Sequence, residues 1–258
     1  MSPMNHLIKG VKSLAMWDKW QETVVAAGNQ YAKSPVFVEQ YSQTPEEFKQ
    51  VAKWIESWDN LPFDFYGRLR DVNHGARFVD TDEWGPVTRQ WLDSNTELWF
   101  LNRHGMLNKR ILDIGAGYGR LAVSASPYVK NYWCTDGVEV SQKVCKRHVD
   151  AYIHKGNVHI ITPEQLLEQK PECDLALNIH SWNECSLASI ACWLDILHLL
   201  KVPYLFTVSH GQLANNNAYL CHQDGHPSFL PLLKEKYDLV EELTLGMSSH
   251  PYALWRIK

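Results

Sequence analysis

The run Lys109-Arg-Ile-Leu-Asp-Ile-Gly-Ala-Gly-Tyr-Gly-Arg-Leu-Ala122 constrains the fold more than any other stretch of the 258-residue chain. Ile111, Leu112 and Ile114 form a short apolar run, the pattern of a buried parallel strand. It leads directly into Gly115, Gly117 and Gly119, at every second position. Leu121 to Val129 then has the composition of a short helix closed by Pro127. Strand, glycine turn and helix together open a dinucleotide-type βαβ unit. Glycine suits such a turn because it reaches positive φ and leaves the backbone bare for a ligand to approach.

The spacing narrows this further. A phosphate-cradling fingerprint reads G-x-G-x-x-G, with pyrophosphate on the helix N-terminus. Here the spacing is G-x-G-x-G, with Asp113 two residues before the first glycine. An acid at the carboxyl end of the first strand, pointing into the crevice, suits a cationic ligand better than a pyrophosphate. An ordinary glycine turn in a Rossmann-like sheet is the plainer alternative. The D-x-G-x-G-x-G string resembles motif I of the class I S-adenosylmethionine (SAM) methyltransferases. The resemblance implies SAM as cofactor, with Asp113 contacting its amino-acid end, often through water. Gly115, Ala116, Gly117 and Gly119 would pack beneath it.

Strands and helices alternate from there on. The second strand spans about Tyr132 to Thr135 and ends at Asp136, near where this fold places the carboxylate that holds a ribose diol. Two ribose hydroxyls are donors, and a carboxylate accepts both. Glu139 is the rival, because Gly137-Val-Glu-Val-Ser141 resembles the commoner G-V-D-x-S string; Asp136 and Gly137 are preferred because a helix pattern starts after them. Ser141 to Tyr152 reads as that helix. The third strand is Val158 to Ile161, followed by Pro163, Glu164 and Gln165, where the family contacts the adenine edge. The fourth is Leu175 to Asn178, followed by a helix from Leu187 to Leu200, and the fifth is Tyr204 to Val208. Gln212 to His226 reads as a loop or lid and Phe229 to Tyr237 as a helix. Leu239 to Leu243 and Ala253 to Ile257 form a hairpin-like pair, which matches the antiparallel seventh strand of the methyltransferase fold. The expected class is α/β: a Rossmann-like, seven-stranded, mostly parallel sheet with an antiparallel last strand and an N-terminal helical cap.

Residues 1–105 lack the alternation. Helices are expected from Leu14 to Ala32, broken by Ser34-Pro35, from Thr44-Pro45-Glu46-Glu47 to about Trp58, and from Val87 to Leu101, with Gly105 beyond the last. Leu61 to Asp82 reads as a loop rich in aromatic and charged residues. This region is expected to be a helical cap carrying acceptor selectivity, and 106–258 the cofactor-binding domain.

Composition excludes other classes. The net charge of −4 comes without basic runs, which argues against a nucleic-acid partner. No segment reaches transmembrane length, and the N-terminus has no apolar core of a signal peptide. The six cysteines form no C-x-x-C and read as reduced, buried thiols of a cytoplasmic protein. The expected partner is a small-molecule acceptor; homo-oligomerisation is left open.

The acceptor chemistry is read from Asn178-Ile-His-Ser-Trp-Asn-Glu184 at the end of the fourth strand. Asn178 would face the cofactor. His180 is the first candidate for a base, because histidine titrates near neutral pH. Glu184 would orient it or bind the acceptor, and His210, after the fifth strand, is the rival base. With Trp193-Leu-Asp-Ile-Leu197 and Val202-Pro-Tyr-Leu-Phe206, this segment resembles the sugar O-methyltransferase family, over about residues 110–210. Asp136-Gly-Val-Glu departs from that family's usual aspartate-isoleucine-proline. The resemblance implies methyl transfer to a hydroxyl of a sugar, a nucleotide-sugar or another small metabolite. The alternatives are transfer to nitrogen or carbon of a non-sugar molecule, and a non-catalytic scaffold. His222, Asp224 and His226 could in principle ligate Zn²⁺ or Fe²⁺, but they read as polar lid residues, and no metal is expected.

Overall fold

The computed structural model describes residues 3–12, 15–27, 44–58, 79–81, 85–153, 156–215, 217–223, 225–245 and 250–258. The Ser34-Pro35 break, most of the Leu61–Asp82 loop and Asp224 lie outside them.

The N-terminal part comprises α1 (Pro3–Val11), α2 (Ala15–Ala27), α3 (Pro45–Glu56), a small antiparallel pair β1 (Val79–Thr81) and β2 (Gly85–Val87), and α4 (Arg89–Arg103). Thr44 caps α3 as predicted: its Oγ1 accepts from Glu47 N–H at 3.3 Å, and Glu47 Oε2 accepts from Thr44 N–H at 2.6 Å. Trp58 stacks on Trp99 at 4.2 Å and so ties the end of α3 to α4. Helix α1 and the β1–β2 pair were not anticipated. Strands of three residues offer no alternation to read, and α1 is built from scattered apolar residues of which Val11 becomes fully buried.

The rest follows the expected alternation: β3 (Arg110–Ile114), α5 (Arg120–Ala125), β4 (Asn131–Thr135), α6 (Glu139–Tyr152), β5 (Val158–Ile160), α7 (Pro163–Gln169), β6 (Leu175–Ile179), a 3-10 turn (Ser181–Glu184), α8 (Leu187–Leu199), β7 (Tyr204–Val208), α9 (Leu230–Lys236), β8 (Tyr237–Leu245) and β9 (His250–Ile257). The sheet order is β5-β4-β3-β6-β7-β9-β8, parallel except that β9 runs antiparallel to both neighbours. This is the seven-stranded Rossmann-like sheet expected. Helix α5 stops at Ala125 rather than Val129, because Pro127 has no N–H to continue it. The Pro163-Glu164-Gln165 segment, expected only as the stretch following the third strand, is the first turn of α7, with Thr162 and Gln165 in a capping box.

Pleating divides the core between the two faces. Ile111, Tyr132, Leu175, Leu177 and Phe206 face α4, α5 and α6. Leu112, Ile114, Ala176 and Leu205 face α7, α8, α9 and α1. Phe100 of α4 packs on Phe206 at 5.2 Å and Tyr252 at 6.2 Å, so α4 lies across β7 and β9. Its N-terminus thereby reaches the carboxyl edge of the sheet, beside the switch point between β3 and β6 where such sheets bind ligands. Among the described residues no helix is long and apolar enough to cross a membrane, and all six cysteines are buried thiols.

Candidate active site

The glycine loop after β3 is fastened to the end of β4. Thr135 O accepts from Gly115 N–H at 2.9 Å and from Ala116 N–H at 3.3 Å. Asp136 Oδ2 accepts from Gly117 N–H at 3.3 Å, and Ala116 O from Gly119 N–H at 2.9 Å. Gly115 has φ 71°, and a Cβ there would lie 2.1 Å from Ser181 Oγ. Both conformation and space therefore require glycine, and the loop is pressed against the turn that follows β6.

The acids lie in different surroundings. Asp113 does not open into the crevice: it is 4% exposed and accepts a hydrogen bond from Tyr132 Oη at 2.7 Å. Burial pushes its pKa up to about 6, against the Tyr132 bond and the charge of Arg120. Asp136 is also buried, and its Oδ1 accepts from Val138 N–H at 2.8 Å. Burial raises it to about 7, opposed by the Val138 and Gly117 N–H groups and reinforced by Glu184 and Asp113. Glu139, its rival, sits in the first turn of α6, exposed and paired with Lys143 at 2.6 Å. Gly137, Val138 and Glu139 line a cleft of about 670 Å³ with Ile160, Thr162 and, from the N-terminal helices, Lys12 and Gln21.

At the end of β6, Asn178 is absorbed by the fold. Its Nδ2 donates to Ile114 O at 3.0 Å and to Ser181 Oγ at 2.6 Å, and its Oδ1 accepts from Trp182 N–H at 3.1 Å. The side chain expected to face the cofactor instead fixes the turn against the glycine loop. His180 follows in a left-handed conformation, φ 63°, with its N–H donating to Val208 O at 2.7 Å. A non-glycine residue at such φ is strained, as residues at functional sites often are. Its ring lies 4.4 Å from that of His210 and 4.9 Å from that of His250. Both candidate bases thus meet in one cluster, joined by His250, absent from the expected set, and by His222, whose ring lies 5.7 Å from that of His210. Burial, then His210 and His250, hold His180 well below the usual histidine pKa, and its Nδ1 is buried without a hydrogen-bond partner. Glu184 closes the 3-10 turn, and its charge acts on Asp136.

Two residues not singled out in the sequence hold this edge together. Asn183 Oδ1 accepts from His210 N–H at 2.9 Å and from Ser209 Oγ at 3.2 Å, while its Nδ2 donates to Leu220 O at 2.8 Å. It joins the ends of β6 and β7 to the 212–226 segment. Arg120, directly after the last loop glycine, donates to both carboxylate oxygens of fully buried Glu97 at 2.9 and 2.8 Å, and to Ser94 Oγ at 2.6 Å. Burial pushes the Glu97 carboxyl up and the guanidinium pulls it back; the two-pronged contact is that of an ionised pair. Among the described residues no group of three or more His, Cys, Asp or Glu side chains is placed to hold a metal ion.

No protein-family model and no curated protein matches the chain. Solved structures do. The N-methyltransferase NodS from Bradyrhizobium japonicum WM9, in complex with S-adenosyl-L-homocysteine, aligns at TM-score 0.50 and 14% identity over 80% of this chain and 98% of that one. The methyltransferase domain of bacterial CtHen1-CN aligns at TM-score 0.51 and 11% identity over 66% of this chain and 98% of that one. At these identities the likeness is one of fold: the chain has the Rossmann-like fold of the SAM-dependent methyltransferases.

Proposed function

We propose that this chain is a SAM-dependent O-methyltransferase acting on a hydroxyl of a sugar, a nucleotide-sugar or another small metabolite, with His180 as general base. The observation that carries the reading is His180 itself: a strained, neutral imidazole at the carboxyl edge of β6, one residue before the Ser181 that packs on Gly115. The surroundings fit the cofactor. The bare loop leaves no Cβ in the way of a ligand, Asp136 offers a ribose diol an acceptor, with Glu139 as the rival, and the cleft at Ile160 and Thr162 suits an adenine. The buried thiols suit a reducing, cytoplasmic setting.

When bound, SAM supplies a methyl carbon that bonds to the acceptor oxygen as its bond to sulfur breaks, the electron pair leaving with S-adenosylhomocysteine. A sugar hydroxyl is too weak an acid to ionise unaided, and its proton passes to a ring nitrogen of His180. The depressed pKa keeps that imidazole unprotonated at neutral pH. His210 and His250 pack edge-on against it and restrict its ring.

Calorimetric titration with S-adenosylhomocysteine, with NAD as the control, tests the cofactor; binding of NAD alone would refute the reading. The His180→Ala variant tests the base. S-adenosylhomocysteine affinity is expected to stay within about twofold while turnover falls by roughly 10²–10⁴. Equal loss of both would make His180 structural. Full turnover would favour an amine acceptor, which presents an unprotonated nitrogen and needs no base.

A further inference from the structure

We propose that Gln90 reads the methyl acceptor, and that the acceptor presents neutral hydroxyl groups to it. The inference rests on the methyl-transfer reading above and narrows its substrate class.

Gln90 lies in the first turn of α4, behind the Thr88 cap. The residue is 4% exposed, and neither its Nε2 nor its Oε1 has a hydrogen-bond partner. Buried carboxamides are nearly always satisfied, because each unmet atom forfeits its hydrogen bond to water. An amide with both atoms unmet is a site that a ligand completes.

Its position points to which ligand. Helical spacing puts Gln90, Ser94 and Glu97 on one face of α4. Arg120 ties that stretch of α4 to the glycine loop, donating to the Gln90 backbone O at 3.3 Å and to the side chains of Ser94 and Glu97. That face meets the helix that starts at the glycine loop. That loop in turn packs through Gly115 on Ser181, the neighbour of His180, whose Nδ1 is likewise buried and unpartnered. The first turn of α4 and the proposed base therefore flank the same glycine loop.

The chemistry follows from what a carboxamide offers: an N–H donor and a carbonyl acceptor side by side. A carboxylate or phosphate only accepts and leaves the carbonyl unmet. An ammonium only donates and leaves the N–H groups unmet. Two neighbouring hydroxyls, one donating and one accepting, satisfy both atoms. The nearby guanidiniums are already balanced, Arg89 by Asp93 at 3.2 Å and Arg120 by Glu97, so neither is in excess for an anion.

The test uses Gln90→Met, which keeps the shape and removes the amide, and Gln90→Asn, which keeps the amide and withdraws it by one carbon. Protein saturated with S-adenosylhomocysteine is titrated with methyl α-D-glucopyranoside, glucose 6-phosphate and glucosamine, with the thermal midpoint measured alongside. The neutral glycoside is expected to bind best. Both variants are expected to lose about tenfold in glycoside affinity with S-adenosylhomocysteine binding unchanged. Gln90→Met is also expected to raise the thermal midpoint of the unliganded protein, because two unmet polar atoms are gone. A lowered midpoint with unchanged glycoside binding would show the amide to be structural. A stronger response to either charged sugar, or to none of the three, would overturn the hydroxyl class. Failure of the wild type to bind S-adenosylhomocysteine would strike the methyl-transfer reading instead, and the unliganded midpoint of Gln90→Met would still judge Gln90.

Discussion

Asp136 and Glu139 differ by three positions and by nearly everything else. Asp136 is enclosed, pinned by the N–H groups of Gly117 and Val138, and pushed up to about 7 by burial. Glu139 stands in solvent, and its pairing with Lys143 holds it below the usual carboxylate range. If Asp136 accepts from the ribose, it must be ionised to accept from both hydroxyls. S-adenosylhomocysteine affinity is then expected to rise by up to roughly tenfold from pH 6 to pH 8 as that carboxyl ionises. Asp136→Asn should bind more weakly and lose most of this rise, while Glu139→Ala should keep it. Stability carries the opposite sign. The native pKa lies above the unfolded one, so the native state holds the extra proton between about pH 4 and pH 7. The contribution of this group is full below the unfolded pKa and is lost as pH rises through 7. Calorimetry across the pH range, on the wild type and both variants, checks the assignment; a flat wild-type profile with a steep Glu139→Ala loss would transfer the ribose to Glu139.

At the scale of elements, α4 is docked by a charge. Arg120 belongs to the helix after the glycine loop, and its partners Gln90 O, Ser94 and Glu97 all belong to α4. Breaking such a pair strands a buried guanidinium, whereas replacing both members by apolar groups of similar volume is often neutral. Glu97→Leu is expected to cost about 3–5 kcal/mol in a urea unfolding series, with Glu97→Leu/Arg120→Met recovering most of it. If the double variant is as unstable as the single, the polar network has a role beyond charge balance. This pair also marks where sequence reading stops. The parallel strands were legible, because short apolar runs ending in glycine or acid have few other meanings. Helix α7 carried a readable signal as well, since Thr162-Pro163-Glu164-Gln165 repeats that of Thr44-Pro45-Glu46-Glu47, but no helix was assigned there. Glu97 was not legible, because a lone acid within a helix usually marks a solvated face. Alternation places Asp113 on the face opposite Leu112 and Ile114. It does not say that Tyr132, on the neighbouring strand, waits there to take the carboxylate.

At the scale of the whole molecule, the N-terminal helices reach the cleft beside the end of β4. Helix α1 lies on α8, where Gly10 comes so close that a Cβ would stand 2.3 Å from Cys192 Sγ and 3.1 Å from Cys192 Cβ. Lys12, just past α1, pairs with Glu164 at the start of α7. Lys12 and Gln21 then form one wall of the cleft whose other wall is Gly137, Val138, Glu139, Ile160 and Thr162. The N-terminal helices therefore help to enclose the space assigned to the adenosine, although they share no loop with the residues that would hold it. The exposed Lys12 pair adds little to this closure, since such pairs are worth roughly 0–1 kcal/mol. The close α1–α8 crossing matters more, because only glycine lets the two helices approach so near. Gly10→Val should push α1 away from α8 and open the cleft without touching the glycine loop. S-adenosylhomocysteine affinity is expected to fall about tenfold, and limited proteolysis to cut near the α1–α2 junction first. Saturating S-adenosylhomocysteine should slow that cleavage in the wild type, since a ligand that binds the closed form favours it by mass action. Faster cleavage of Gly10→Val with unchanged affinity would mean that the N-terminal helices pack against the cofactor domain without contributing to its binding.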